Sequence, residues 1–279
     1  MTAPRRHIWL CADDYGISLS VSAAIRELIA LGRINATSVM VVPPQFNPAQ
    51  AAALTQIQRE NPRAAIGLHV TLTGRFRPAS AGFAPTRDGT FLPLEKMASL
   101  AIRRRLDGGK LRNEIEAQFR AFLNAFGRTP DFVDGHQHIH LFPQIRDALL
   151  SVTKRLAPDA WVRQCGRPIP LHRRARDPKG LVLDVLSLGF RRRARSLGLR
   201  TNPAFSGSYT FSADANYARL FPAFLDSLPD GGLVMCHPGI VDDELIRLDP
   251  LTTLREREYD YFRGDEFPRV LAANDIELA

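Results

Sequence analysis

Aspartate and histidine residues recur in this sequence in arrangements that could bind a metal ion. Asp13 and Asp14 are adjacent, His69 stands alone in "GLHV", and "DGHQHIH" places three histidines at every second position behind an aspartate. Catalytic metal sites usually take about three protein ligands of these types and keep one position open for water. Asp14, His69 and His136 form such a set, although each of them separately could equally be a helix cap or a core residue.

The histidine run cannot place all three imidazoles on one ion. Alternate residues of a strand share a face, so His136, His138 and His140 would point the same way if the strand persisted. At a rise of roughly 3.3 Å per residue, however, the first and third lie about 13 Å apart, whereas zinc–nitrogen bonds measure about 2.0 to 2.1 Å. At most two neighbours can bind one metal ion, and the others become supporting or substrate-contacting groups. Asp134 could orient a ligand histidine through its second ring nitrogen.

Two further features could transfer protons. Adjacent residues of an extended segment point to opposite sides, so one of Asp13 and Asp14 could bind the metal while the other accepts a proton from metal-bound water. His237 lies in "CHPG" at the end of another apolar run, where an imidazole could donate a proton to a departing amine. Together these residues indicate a metal-assisted hydrolase.

Short apolar runs alternate with helical patterns along the chain. Strands are expected at 7–12, 36–42, 65–72, 131–139, 160–165 and 231–239. Helices are expected at about 17–34, 48–60, 110–126, 143–156 and 252–264. This order predicts an α/β fold with a parallel sheet, most economically closed as a (β/α) barrel in a single domain over residues 1–279. An Arg- and Pro-rich insertion is expected at about 165–210.

In such a barrel the carboxyl ends of the strands surround one mouth, where the chemistry takes place. The aspartate pair follows the first strand, His69 lies near the end of the third, and His136 follows the fourth. Arg163 closes the fifth strand and His237 the last. Five strand ends are therefore expected to converge on one site.

Composition and charge restrict the class of protein to which this chain can belong. With 45% hydrophobic and 24% charged residues the chain is typical of a soluble globular protein, and no apolar run approaches the roughly 20 residues of a membrane span. No signal-peptide pattern precedes the first strand, so a cytoplasmic location is expected. The net charge of +8 is concentrated in runs at 103–105, 173–176 and 191–195. Such runs are typical of solvated helix faces, but they could attract an anionic membrane surface. No aromatic residues for base stacking are interleaved with these runs, so nucleic acid is a less favoured partner.

Four motifs resemble one protein family. The YdjC-like carbohydrate deacetylases, which include chitooligosaccharide deacetylases and proteins associated with hopanoid biosynthesis, are similar in order and spacing to "CADDYGISLSVSAAIRELIALGRINATSVMV", "IGLHVTLTG", "DFVDGHQHIHLFPQI" and "VMCHPG". The resemblance implies a distorted TIM-like barrel of the polysaccharide-deacetylase type. It also implies metal-dependent removal of an N-acetyl group from a sugar or glycolipid, with one divalent ion, Mg²⁺ or Zn²⁺.

The same resemblance implies a role for each motif residue. Asp14, His69 and His136 would bind the metal ion, with Asp13 as the general base and His237 as the general acid.

Two neighbouring positions would support them. By the same resemblance Arg163 would position the aspartate or the substrate. In the hydrolytic mechanism that these residues suggest, the metal ion and backbone N–H groups near Tyr15 would stabilise the oxyanion.

Two other functions are consistent with these residues. In an amidohydrolase-like barrel His136 and His138 would both bind the metal, and the substrate would be a non-sugar amide. In a non-enzymatic protein the histidines would be structural or store metal, and the basic surface would bind an anionic membrane or another polyanion. The expected partners are an N-acetylated sugar or glycolipid, an anionic membrane surface in peripheral contact, and further copies of the chain in a homo-oligomer.

Overall fold

Strands and helices alternate along the chain, as the apolar pattern predicts. The computed structural model describes residues 5–168 and 178–279. Within those ranges eight strands form one parallel sheet: β1 (Arg6–Tyr15), β2 (Ala36–Val39), β3 (Ala65–Val70), β6 (Phe132–Gly135), β7 (Trp161–Val162), β8 (Phe205–Ser206), β9 (Leu233–Cys236) and β10 (Ile276–Leu278). A separate antiparallel hairpin is formed by β4 (Thr86–Arg87) and β5 (Thr90–Phe91).

Helices connect most of the successive strands. Those in the described part of the chain are α1 (Leu19–Ala30), α2 (Pro48–Glu60), α3 (Leu94–Ile102), α4 (Gly108–Phe126), α5 (Pro143–Leu156), α6 (Pro178–Ser196), α7 (Tyr217–Leu225), α8 (Asp243–Leu248), α9 (Thr253–Arg263) and α10 (Glu266–Ala273). The Ser18 hydroxyl caps α1 by accepting a hydrogen bond from the Val21 N–H at 3.2 Å. Pro143 begins α5, where its missing N–H has no intrahelical partner to lose.

The parallel sheet curls into a distorted barrel. Its strand order is β7-β6-β3-β2-β1-β9-β8, and β10 pairs with the first residues of β1. Two hydrogen bonds show that the edge strands β7 and β8 lie close together. The Val162 N–H donates to the Arg200 carbonyl (2.9 Å), and the Phe205 N–H donates to the Gly166 carbonyl (3.0 Å). The strands are parallel, so their carboxyl ends surround one mouth. The predicted α/β barrel architecture is confirmed.

A glycine allows β3 and β6 to pack closely. All residues of β3 are buried, as expected for a parallel sheet covered on both faces. A Cβ added to Gly67 would lie 2.4 Å from the ring of Phe132. That ring also stacks on Trp161, with centroids 4.5 Å apart. The contact holds together the two strands that carry His69 and Asp134, which are paired in register.

The strand predicted over 131–139 is shorter than expected. β6 ends at Gly135, and a 3-10 helix follows over His136–Leu141, in which His138 has a positive φ of 57°. The chain turns back so tightly that a Cβ on Gly135 would lie 3.0 Å from the Cβ of His140. The strand does not persist, and the three histidines do not share one face.

The segment expected as an insertion, 165–210, contains α6 and β8. Its arginine run at 173–176 lies outside the described residues. Phe190 and Ala194 of α6 are buried, whereas the opposite face of this helix is exposed. Over the described ranges, no helix combines the length and apolar character needed to cross a membrane.

Candidate metal centre and active site

Three side chains from three strands converge at the mouth of the barrel. Asp14 lies in β1, His69 in β3 and His136 directly after β6, and each is at most 4% exposed. The Oδ1 atom of Asp14 is 2.9 Å from Nδ1 of His136 and 3.3 Å from Nε2 of His69. One ligand atom from each residue lies within 4.8 Å of the other two. The fold therefore brings together the set expected from the sequence.

The geometry and charge of this cluster suit a divalent cation. Two ligand atoms that each lie about 2.1 Å from one ion are about 3.0 to 3.4 Å apart, close to the observed separations. Among the described residues, the carboxylates of Asp13, Asp14 and Asp134 contact only two buried guanidinium groups, those of Arg163 and Arg255. Once His69 has given up its proton, the cluster carries one uncompensated negative charge, which would attract a cation. One carboxylate and two imidazoles accept several divalent ions, so the ligand types do not select the metal.

A backbone irregularity in β1 turns Asp14 towards the cluster. The pairing of β1 with β2 shifts register between Ala12 and Tyr15, and Asp14 has a positive φ of 68°. Aspartate tolerates this left-handed conformation better than most residues, and bulges of this kind re-aim side chains beside active sites. Asp13 and Asp14 therefore meet different partners, although both lie within β1 rather than after it.

A buried arginine holds Asp13. The two carboxylate oxygens accept hydrogen bonds from Nη1 and Nη2 of Arg163, each at 2.6 Å, and the Ser38 hydroxyl donates to Oδ1 at 3.0 Å. Burial alone would raise the pKa of Asp13, but the adjacent guanidinium outweighs burial and holds the pKa below its usual range. Asp13 is therefore an ionised carboxylate with a fixed orientation.

Asp134 contacts His69 on the ring nitrogen that faces away from Asp14. Its Oδ1 lies 2.6 Å from Nδ1 of His69, and its other oxygen is paired with Arg163 at 2.6 Å. Burial alone would lower the pKa of His69, but Asp134 raises that pKa to about 10. A cation that binds His69 would have to displace this proton. A carboxylate in this position fixes the orientation of a metal-binding imidazole.

His237 lies on the loop after β9. Its backbone N–H donates to Oε2 of Glu258 at 2.5 Å, and its buried Nδ1 makes no hydrogen bond to any described residue. Burial lowers the pKa of His237 to about 4, although Asp14 and Asp13 act in the opposite direction. The imidazole is therefore neutral at pH 7.

The remaining predicted positions have different surroundings. Nδ1 of His138 lies 3.5 Å from Sγ of Cys165, and Nε2 of His140 lies 2.9 Å from the backbone carbonyl of Arg163. Burial lowers the pKa of both imidazoles, to about 3 for His138. The Tyr15 hydroxyl donates to a backbone carbonyl of α2 at 2.7 Å. The side chains of His138, His140 and Tyr15 thus lie outside the ligand cluster found among the described residues.

Sequence reasoning missed three buried residues here: Ser38, Arg255 and Glu258. Ser38 lies in β2 with its hydroxyl 3.0 Å from Nδ1 of His69, and the strand-end rule could have found it. Nη2 of Arg255 donates to Oδ2 of Asp14 at 2.6 Å. Arg255 and Glu258 lie three residues apart on one face of α9. The charged sequence of α9 is typical of a solvated helix, so no pattern signals their burial.

Known proteins similar to this chain identify its family and agree with its fold. The family profile described as "YdjC-like protein" matches residues 7–273. A chitooligosaccharide deacetylase from Citrobacter koseri is 29% identical over 271 residues, which cover 96% of this chain and 94% of that protein. A crystal structure of a proposed cellobiose-phosphate cleavage protein from Enterococcus faecalis superposes with a TM-score of 0.74 at 20% identity, covering 99% of this chain and 97% of the other. That superposition shows a shared fold.

Proposed function

We propose that this chain, which belongs to the YdjC-like protein family, is a metal-dependent hydrolase that removes an N-acetyl group from an acetylated amino sugar. The observation that carries the proposal is the cluster of Asp14, His69 and His136. Asp13 and His237 would transfer protons beside it. The similarity to a chitooligosaccharide deacetylase supports the substrate class.

Asp14, His69 and His136 would hold one divalent ion, Mg²⁺ or Zn²⁺. When bound, such an ion polarises the acetamide carbonyl and lowers the pKa of a bound water. Neighbouring residues prepare the ligands, since Asp134 fixes the imidazole of His69 and Arg255 fixes the carboxylate of Asp14. The ligand set would therefore need little rearrangement to accept the ion.

Asp13 would act as the general base and His237 as the general acid. Arg163 keeps Asp13 ionised and fixes both of its oxygens, so the carboxylate can accept a proton from the attacking water. The His237 imidazole is neutral at pH 7 and must gain a proton within the site before it can give one to the departing amine. One proton would thus move from the water through Asp13 and His237 to the amine. Backbone N–H groups near Tyr15 would stabilise the oxyanion.

Acetate release tests this activity directly. Protein stripped with a chelator and reloaded with Zn²⁺ or Mg²⁺ should release acetate from oligomers of N-acetylglucosamine. His69→Ala should remove both the bound metal and the activity, whereas His7→Ala, at an exposed position of β1, should change neither. The proposal fails if the wild-type protein binds no metal and releases no acetate from a panel of N-acetylated oligosaccharides, glycolipids and nucleotide sugars.

A membrane glycolipid, such as a glycosylated hopanoid, is a second candidate substrate, and the outer face of α6 favours it. This helix exposes Leu181, Val182, Val185 and Leu188, and the arginine run at 191–195 follows. An apolar stripe with flanking arginines is typical of helices that bind anionic membrane surfaces. Flotation with anionic vesicles is the test. No binding to vesicles, together with turnover of soluble oligosaccharides alone, would exclude the glycolipid.

A further inference from the structure

An exposed aromatic side chain stands beside the proposed acid. Phe211 lies in the loop between β8 and α7, and 43% of its surface is exposed. Its ring centroid is 5.7 Å from that of His237 and 4.3 Å from that of Tyr209. Asp13 and Asp14 are only 2% exposed. Phe211 therefore lies further out in the mouth than the reacting groups.

A single exposed phenylalanine is ordinary, but residues of α9 hold this one in place. The Tyr209 hydroxyl donates to Oε1 of Glu258 at 2.8 Å, and the His237 N–H donates to Oε2 of the same carboxyl group at 2.5 Å. Nη1 of Arg257 donates to two backbone carbonyls of the Phe211 loop, at 2.6 and 3.1 Å. One buried carboxyl group thus fixes the loop and the acid relative to each other.

A rigid aromatic face at this depth suits a sugar ring. One face of a pyranose ring presents mainly C–H groups, and an aromatic side chain offers a large apolar surface with little conformational entropy to lose. The acetamide group must reach the buried cluster, so the ring that bears it lies deeper than Phe211. A ring linked to that sugar would lie at the level of the exposed aromatic face.

We propose that Phe211 is a binding platform for the sugar ring next to the one that loses its acetyl group. The inference rests on the proposed function and adds that a second ring linked to the acetylated sugar strengthens substrate binding. Tyr209 and Glu258 are then positioning residues, which keep the platform at a fixed distance from His237.

Steady-state kinetics of the Zn²⁺-loaded protein test the platform with N-acetylglucosamine and its β-1,4-linked dimer. Phe211→Ala should raise KM for the dimer by on the order of fivefold to tenfold and leave kcat nearly unchanged, because the contact is made equally in the ground and transition states. The kinetics with the single sugar should stay within about twofold. Phe211→Trp should keep KM for the dimer low, and Phe211→Leu, which is apolar without an aromatic face, should raise it.

Leu123→Ala is the matched control, since Leu123 lies on α4 and is 45% exposed. It should change neither substrate's kinetics. An unchanged KM for the dimer in Phe211→Ala, or equal changes for the single sugar and the dimer, would overturn the platform. Calorimetry measures the affinity for the dimer without turnover. Weaker binding to Phe211→Ala than to the wild type supports the platform. Equal binding to the two proteins, or no binding to the wild type, overturns it. A failure of the proposed function would be distinguished by the acetate assay, in which the wild-type protein would release no acetate.

Discussion

Arg163 forms ion pairs with two carboxylates that have different proposed roles. Its guanidinium contacts both oxygens of Asp13 and one oxygen of Asp134, each at 2.6 Å, and Asp134 in turn contacts His69. The proposed base and the support of a proposed metal ligand therefore share one buried cation. A substitution that removes charge from any member leaves the others imperfectly paired, and breaking a buried ion pair is costly.

Asp13→Asn should strongly reduce turnover without removing the metal. Asparagine has the same shape as aspartate but cannot accept a proton from water at neutral pH, and loss of a general base typically lowers kcat about 100-fold to 10,000-fold. Asp14→Asn should lose the metal as well as the activity, because Asp14 is a proposed ligand. Kinetics and metal content measured on the same preparations separate the two effects. Equal metal loss in both variants would contradict the division of roles between Asp13 and Asp14.

His136→Ala should lose the metal, and His138→Ala should keep it. The reason is the turn after β6, which directs His136 to Asp14 and leaves His138 within 3.5 Å of Cys165. Competition with a chromophoric chelator measures the affinity of each variant for Zn²⁺. An equal loss in both would instead favour the amidohydrolase-like arrangement, in which both histidines bind the metal.

At the scale of the elements, the parallel strands made much of the site predictable. The apolar pattern located the strand ends, and parallel strands bring their carboxyl ends to one mouth, so Asp14, His69 and His136 could be grouped from sequence alone. The same apolar pattern does not predict how the backbone turns after a strand ends. The 3-10 helix over His136–Leu141, with His138 at positive φ, was therefore not predicted.

Helix α9 shows a second limit of sequence reasoning. Arg255 is 1% exposed and pairs with Asp14, whereas Arg263, on the same helix, is exposed and pairs with Glu27. Residue type does not distinguish the two arginines. The packing of α9 across the mouth decides which one is buried, and that packing depends on strands far away in the sequence.

Arg255→Met should destabilise the metal-free protein by about 3 to 5 kcal/mol, because it leaves the buried Asp14 carboxylate without its guanidinium partner. Arg263→Met is the matched control on the same helix, and loss of its exposed ion pair should cost less than about 1 kcal/mol. Urea unfolding of chelated protein gives both values. Similar losses for the two variants would show that the Arg255–Asp14 contact does not contribute as its burial implies.

At the scale of the whole molecule, the last third of the chain completes a site that the first half begins. Arg255 meets Asp14 across 241 residues of sequence, and Glu258 joins α9 to the loop after β9 and to Tyr209. The proposed metal ligands and the proposed acid therefore reach their positions only when both ends of the barrel have packed. A metal ion that binds this completed arrangement should stabilise the whole fold.

Glu258 should also make the stability of the whole molecule depend on pH. Burial raises its pKa from 4.5 to about 7, although the His237 N–H and the Tyr209 hydroxyl act in the opposite direction. The folded state then keeps the proton at pH values where the unfolded chain has released it. This contribution to stability is fully present below about pH 4.5 and is lost as the pH rises through about 7.

Glu258→Gln should remove this dependence, because glutamine stays neutral at every pH. Relative to the variant, the wild-type protein should lose roughly 2 to 3 kcal/mol of unfolding free energy between pH 5 and pH 8, as the shift in the pKa of Glu258 requires. Urea unfolding at the two pH values measures the difference, and Glu60→Gln, at an exposed position of α2, should leave it unchanged. A gap between wild type and Glu258→Gln that is the same at pH 5 and pH 8 would mean that the folded protein does not hold this proton, because Glu258 would then titrate alike in the folded and unfolded states.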